Sequence, residues 1–213
     1  RSTVAFSNQN TLSGSVDVLH KGKVTKVSPG KVDYQVPHSS VLYGVSTNLI
    51  PFLDSTQGNR AIMASKHVAQ AVPLIGREAP LIQVGAPENS GYSSIEELVA
   101  KTIVLPTSPV SGRVTRVDDD FIHIRDSKGS PHKVVRFKDY PLASKTHINE
   151  TPVVRRGDKV KKGQVLSDNN YTVDGVLALG KNLNVGYMAY RGLNSNDAVV
   201  ISDAAADKLT SEH

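Results

Sequence analysis

Three short segments and one basic cluster hold residues whose types and spacing could do chemistry. The first segment reads Asn48-Leu49-Ile50-Pro51-Phe52-Leu53-Asp54 and is followed closely by Gly58-Asn59-Arg60-Ala61-Ile62-Met63. A strand-like apolar run gives way there to an Ala-rich stretch, residues 58–72. Its Ile62, Met63, Val68 and Val72 fit one helical face, and Pro73 supplies the stop. Asn59 and Arg60 would then stand in the first turn of a helix. Free N–H groups and the helix dipole favour an anion at that end, and a guanidinium fork suits phosphate oxygens. Phosphate binding is one reading. A solvated or ion-paired helix arginine is the other, and spacing alone leaves both open.

The second segment is Gly157-Asp158-Lys159-Val160-Lys161-Lys162-Gly163-Gln164-Val165-Leu166. Its Gly-Asp-x-Val-x-x-Gly-x-x-Leu pattern is that of a hairpin in a small barrel-sandwich, as in biotinyl and lipoyl carriers. A carrier needs a modifiable Lys in a setting such as Met-Lys-Met, and neither Met63 nor Met188 adjoins a Lys. The structural reading of the hairpin is therefore favoured. Arg155, Arg156, Lys159, Lys161 and Lys162 cluster on it, as a nucleic-acid contact or a solvated face. The third segment places Asp197 just before the apolar run Ala198-Val199-Val200-Ile201. One carboxylate can help hold a hard cation through water but cannot make a magnesium site alone, and a turn Asp bonding its own backbone is an equal account. The seven His include no pair at i, i+4, and no Ser-His-Asp signature, P-loop or dinucleotide fingerprint is present.

The elements that must position these residues are mostly short strands. Apolar and polar residues alternate in residues 15–27, 112–117, 121–125, 133–138 and 159–166, with Gly, Pro, Asp and Asn between them. Asp118-Asp119-Asp120 and Asp126-Ser127-Lys128-Gly129 read as hairpin turns. Helix signals are fewer. Besides residues 58–72, Ser93-Ser94-Ile95-Glu96 reads as a capping box opening a short helix through Ala100, and Ser202-Asp203 caps a last helix over residues 204–209. Residues 84–88 read as loop, and the first 30 or so as a loop or edge hairpin.

Composition bounds the rest. The 213 residues carry 25 Lys and Arg against 20 Asp and Glu, a net charge of +5 that favours an anionic partner. With no cysteine, disulfides and thiolate metal sites are excluded. No apolar run is long enough to span a membrane and none resembles a signal peptide, so an intracellular setting is expected.

Taken in order, these segments resemble the beta subunit of bacterial-type multisubunit DNA-dependent RNA polymerases. The resemblance rests on Asn59-Arg60-Ala61-Ile62-Met63, Gln70-Ala71-Val72-Pro73, residues 146–152, the Gly157–Leu166 pattern, residues 176–185 and residues 192–203. It covers roughly residue 31 to the C-terminus, and several motifs in register are far more specific than any one of them. It implies that Arg60 contacts the triphosphate of the incoming nucleotide and that Asn59 lines the same site. Gln70 would lie near the RNA 3′ end; beside these, Lys66 and, from the basic cluster, Arg155, Arg156 and Lys159 are candidate nucleic-acid contacts by their charge. Asp197, beside Asn196, would approach the second Mg2+ and the nucleotide phosphates, partly through water.

The departures matter as well. Asn196 stands where the family usually has Glu, Thr56 and Gln57 replace acids, and Gly186 and Tyr190 alter a usual apolar run. They imply a divergent polymerase of the split-subunit kind found in large bacteriophages.

The resemblance further implies a mainly β fold with a few short helices, containing a barrel-sandwich hairpin near residues 151–166 and part of a double-psi β-barrel completed by another chain or segment. The expected organisation is a loop or edge segment (1–35), a substrate-side segment with the Asn-Arg helix (36–110), a barrel-sandwich-like region (111–175), and barrel strands with the Asn-Asp motif and a terminal helix (176–213). The catalytic Mg2+ triad is expected in a beta-prime-type partner. The other expected partners are the remaining beta segments, DNA template, RNA transcript and nucleoside triphosphates, in the cytoplasm of a bacterium or infected host, or in a virion. Two rivals stand beside this: a stand-alone basic RNA-binding module, and a biotinyl- or lipoyl-like carrier. The low aromatic content, 5%, argues against base stacking as the main mode of an RNA-binding module.

Overall fold

The computed structural model describes residues 2–7, 11–37, 39–88, 90–143 and 146–212. Short strands dominate it, with a few short helices. The N-terminal sheet is built from β1 (Thr3–Phe6), β2 (Val16–His20), β3 (Lys23–Val27) and β4 (Tyr34–Val36), in the order β3-β2-β1-β4, with only β4 parallel to its neighbour. The alternating run at residues 15–27 is thus two strands. Lys21 and Gly22 fold it back through positive φ angles of 50° and 78°, the geometry of a tight hairpin turn.

Helices α1 (Val45–Asn48) and α2 (Gly58–Ala69) follow, packed on one another, with Ser65 Oγ bonded to Ser46 Oγ (2.9 Å) and Thr47 Oγ1 (3.0 Å). The apolar run between them is not a strand. Pro51 brings no N–H to a ladder, Phe52 adopts φ 56°, and residues Leu53–Ser55 form a 3-10 turn. Helix α2 ends at Ala69, three residues short of the expected end, with Gln70 as its C-cap. The helix α3 (Ile95–Val99) runs into a π-helical turn at Ala100–Val104. Its cap is shifted by one residue from the expected box. Ser94 accepts the Glu97 N–H (3.1 Å), and Glu97 accepts from the Ser93 N–H and hydroxyl (2.9 and 2.6 Å).

The main sheet consists of β5 (Gly112–Val117), β6 (Phe121–Asp126) and β7 (Pro131–Val135) as a meander. Between them stand the two acidic turns expected from sequence, Asp118 Oδ1 accepting the Phe121 N–H (2.8 Å) and Asp126 Oδ1 those of Lys128 and Ser130 (both 2.9 Å). Beyond lie β8 (Tyr140–Pro141), β9 (His147–Ile148), β10 (Glu150–Pro152), β11 (Lys159–Val160), β12 (Ser167–Asn169), β13 (Thr172–Val173) and β14 (Val176–Leu177). Strand β11 joins β5, giving the order β11-β5-β6-β7, and β10 pairs with β12. The excursion at residues 151–166 therefore leaves and returns through the β10–β12 pair.

The Gly-Asp-x-Val pattern has a physical reading here. Gly157 and Gly163 take φ of 99° and 79°, Asp158 Oδ2 holds the Arg155 N–H (2.7 Å), and Gln164 Oε1 holds the Lys161 N–H (3.0 Å). Val160 and Leu166 enter a core with Val114, Ile122, Ile124 and Val154. A second core joins Ile95, Val99, Ala100 and Leu105 to Leu177.

The sheets stay open, and among the described residues no barrel closes. The expected barrel strands beyond residue 175 are realised only as β14. Residues 183–202 form turns and coil with Leu183, Val185, Tyr187, Met188, Leu193, Val199 and Ile201 exposed. A strand needs a neighbour for its N–H and C=O groups, and among the described residues no strand pairs with this run. The terminal helix α4 (Asp203–Lys208) is capped by Ser202, whose Oγ accepts the Ala205 N–H (3.2 Å).

Candidate nucleotide and nucleic-acid site

Asn59 and Arg60 are the second and third residues of α2, and both are exposed. The Gln57 side chain at the N-cap makes no bond to the first-turn N–H groups, so that end keeps its donors free. Among the described residues the Arg60 guanidinium has neither an acid partner nor a hydrogen bond. Lys66 is exposed on the same helix. Gln70, at its C-cap, borders a depression of about 400 Å³ together with Val104, Leu142, Tyr171 and Leu179. The expected apolar face of α2 is left uncovered: Ile62 is 70% exposed and Met63 47%.

Asn196 and Asp197 lie far along the chain from Arg60, in the exposed loop. Asn196 adopts φ 55°, the left-handed region that Asn tolerates better than most residues, so the turn itself accounts for an Asn there. The loop nevertheless shares its footing with α2. The stretch that follows the helix, residues 73–79, grips both ends of the excursion. Ile75 N–H donates to Thr210 O (3.1 Å) and Glu212 N–H to Pro73 O (2.9 Å). At the other end Glu78 N–H donates to Gly180 O (2.9 Å), and the Lys181 ammonium meets Gly76 O (2.6 Å) and the Glu78 carboxylate (2.5 Å). Asn182 donates to Glu78 through its backbone and its side chain (3.2 and 3.1 Å). The Lys181 hydrogen bond, then those of Asn182, hold the Glu78 carboxyl below its ordinary range. Sequence reasoning missed this clamp. Its partners lie about a hundred residues apart, and only the pairing reveals them.

Arg155, Arg156, Lys159, Lys161 and Lys162 are all exposed, on β11 and the turns that flank it. Among the described residues no group of three His, Asp or Glu converges to hold a metal ion. Asp197 by itself does not make a Mg2+ site. No helix among the described residues is long and apolar enough to cross a membrane.

Comparison with known proteins fits this layout. Residues 112–211, from the main sheet to the terminal helix, match the family described as RNA polymerase Rpb2, domain 6. The chain is similar to one segment of the RNA polymerase beta subunit. It is 37% identical over 205 residues to the DNA-directed RNA polymerase subunit beta of Synechococcus sp. (strain WH7803), and 35% identical over 207 residues to that of Prochlorococcus marinus (strain AS9601). To the subunit from Synechococcus elongatus (strain ATCC 33912 / PCC 7942 / FACHB-805) it is 34% identical over 204 residues. These alignments cover 95%, 96% and 95% of this chain but only 18% of each relative, so the chain spans about a fifth of the length of the curated beta subunits it matches.

Proposed function

We propose that this chain forms one side of the active centre of a DNA-directed RNA polymerase, within a beta-type subunit, and positions the incoming nucleotide and the RNA 3′ end. The observation that carries the reading is the N-terminal turn of α2. It presents to solvent a guanidinium with no partner among the described residues and backbone donors that the N-cap side chain leaves open, on a helix whose Ile62 and Met63 are also uncovered. Arg60 is the triphosphate contact, Asn59 lines the same pocket, and Gln70 and Lys66 face nucleic acid from the same helix. Asp197 and Asn196 approach the nucleotide phosphates from the clamped loop. Phosphoryl transfer depends on positioning and charge neutralisation more than on covalent chemistry, so side chains of this kind suffice for this chain's share. The ions of such a centre are Mg2+ held mainly by a beta-prime-type partner. The isolated carboxylate of Asp197 reaches an ion only through water.

The uncovered apolar residues of α2 and of the 183–202 loop support a chain that works against other polymerase segments, with DNA and RNA between them. A split beta subunit of bacteriophage type, working in the cytoplasm of the cell that makes it, is consistent with the departures at Asn196, Thr56 and Gln57.

The test is nucleotide extension by the assembled polymerase. Arg60→Ala removes one or two charge-assisted contacts, each worth roughly 1.5–3 kcal/mol. It should raise the nucleotide concentration for half-maximal extension about 10- to 100-fold and slow the rate, while the assembly stays intact. Unchanged extension at limiting nucleotide would remove the phosphate role.

A further inference from the structure

The basic surplus of the chain sits in one place. Residues 112–166 hold 13 Lys and Arg against 7 Asp and Glu, while the rest of the chain holds 12 against 13. That segment spans the whole β11-β5-β6-β7 sheet. One face of the sheet is the apolar core of Val114, Ile122, Ile124 and Val160. Strand alternation sends the residues between them to the opposite face. There Lys159 stands directly across from Arg113, and Arg113 directly across from Arg125.

These three cations form one continuous row over three strands. All are exposed, and among the described residues none of their side chains has an acid partner. In the next row Arg116 faces His123, which faces Lys133. Asp118 is engaged there by Arg116 and His123 (both 3.1 Å), and Lys133 lies 5.6 Å over the Phe121 ring. Arg155 and Arg156 flank one end of β11, Lys161 and Lys162 the other.

Like charges directly opposite one another weaken a sheet. An acid at any of the three positions would relieve the row, and none is present. We infer that this outer sheet face seats the sugar–phosphate backbone of a nucleic-acid duplex. A duplex offers one negative charge per roughly 1.7 Å of axis, and the row spans two inter-strand steps of about 4.8 Å, enough to meet several phosphates at once. A single strand is a poorer fit. Phe121 is the one Phe, Tyr or Trp in these four strands and is already covered by Lys133, so no platform for stacking bases is offered. The surface uses neither Arg60 nor Asp197 and stands apart from the nucleotide-positioning reading.

The experiment titrates the complete protein carrying this chain with a short mixed-sequence DNA duplex, nucleotides omitted, by fluorescence anisotropy over a range of salt. Each lost phosphate contact lowers the slope of log affinity against log salt by about 0.9. The triple variant R113Q/R125Q/K159Q should therefore lose about 2–3 from the slope and about 10- to 100-fold in low-salt affinity. R113K/R125K, which keeps the charge, should keep the slope. The pair R191Q/K208Q, outside the sheet, should leave both unchanged. Circular dichroism of the triple variant should match the parent, because all three side chains are exposed. An unchanged slope in the triple variant overturns the inference. So does an equal loss in R191Q/K208Q, which would reflect net charge alone. Competition by polyglutamate without measurable duplex binding would assign the face to an acidic protein and likewise overturn it.

Discussion

Gly112 opens β5 where the neighbouring strand leaves no room for a side chain. A Cβ added there would stand 2.3 Å from the Arg125 carbonyl oxygen, 2.9 Å from its carbon and 3.0 Å from Asp126 Cα. Those atoms belong to the backbone of β6, so the clash cannot be relieved by turning a flexible side chain. Gly112→Ala must push β5 away from β6 by about an ångström, at the position that also pairs with Val160 of β11. Two or so ladder bonds would be lost or stretched, each worth roughly 0.5–1.5 kcal/mol. Against this stands a gain of about 0.4–1 kcal/mol from the less flexible unfolded chain. The net expectation is a loss of about 1–2 kcal/mol, or a melting temperature lower by roughly 2–8 °C for a chain of this size. Gly58→Ala is the matched control. Nothing lies within 4 Å of its added Cβ and it begins a helix, so it should be neutral or mildly stabilising. Thermal and urea unfolding followed by circular dichroism would measure both. A Gly112→Ala protein as stable as its parent would refute the close approach of β5 and β6, and with it the register of the cationic row.

Further outcomes follow from the same structure. Leu166, 0% exposed in the main core, should cost about 2–5 kcal/mol when cut to Ala, whereas Val199→Ala, at a position 80% exposed, should stay within about 0.5 kcal/mol; urea denaturation separates them. The Glu97 carboxyl is lowered to about 2, first by the Lys101 hydrogen bond and then by the Ser93 hydroxyl and N–H. Its folded value lies below its unfolded value, so its contribution is complete above the ordinary value of 4.5 and is lost as pH falls toward 2. Glu97→Gln should therefore flatten the fall in stability across that window. Glu150 has the opposite sign, because burial raises it above its ordinary value. Its ionisation disfavours the folded state as pH rises past the carboxylate range, and Glu150→Gln should lessen the loss on going from about pH 4.5 to neutrality in the same titration.

Local signals carried most of the main sheet. Asp118 and Asp126 each bond the N–H groups of the turn that follows, which is why an acidic turn between alternating runs could be read from the chain alone. The glycines of the Gly157–Leu166 pattern fix two turns, and Val160 and Leu166 fill the core at the expected spacing. Long-range features were not legible. The edge hairpin expected in the first 30 or so residues is present, but alternation over residues 15–27 does not locate its turn, which falls at Lys21 and Gly22. Nor does it give register, so Arg113 and Arg125 were not singled out, although each sits at an outward position of a strand that was recognised. Residues 183–202 failed for a different reason. Strands were implied there by the resemblance alone, and a strand exists only where something pairs with it.

That failure bears on how the candidate site is held. A loop with no regular structure and many exposed apolar residues would be expected to wander, and Asp197 with it. Its ends do not, because residues 73–79 bind residues 180–182 on one side and residues 210–212 on the other. The same stretch is the direct continuation of α2, so the helix bearing Arg60 and the loop bearing Asp197 are tied to one short piece of backbone. The tie fixes where the loop starts and finishes and leaves its middle free to take shape against whatever covers Tyr187, which is 98% exposed. Cutting the clamp with Lys181→Met should speed amide exchange at Glu78 and Asn182, whose N–H groups it shelters, while the main sheet exchanges as before. Equal acceleration throughout would mean that the clamp supports the whole fold. No acceleration at either amide would mean that Lys181 does not secure the loop.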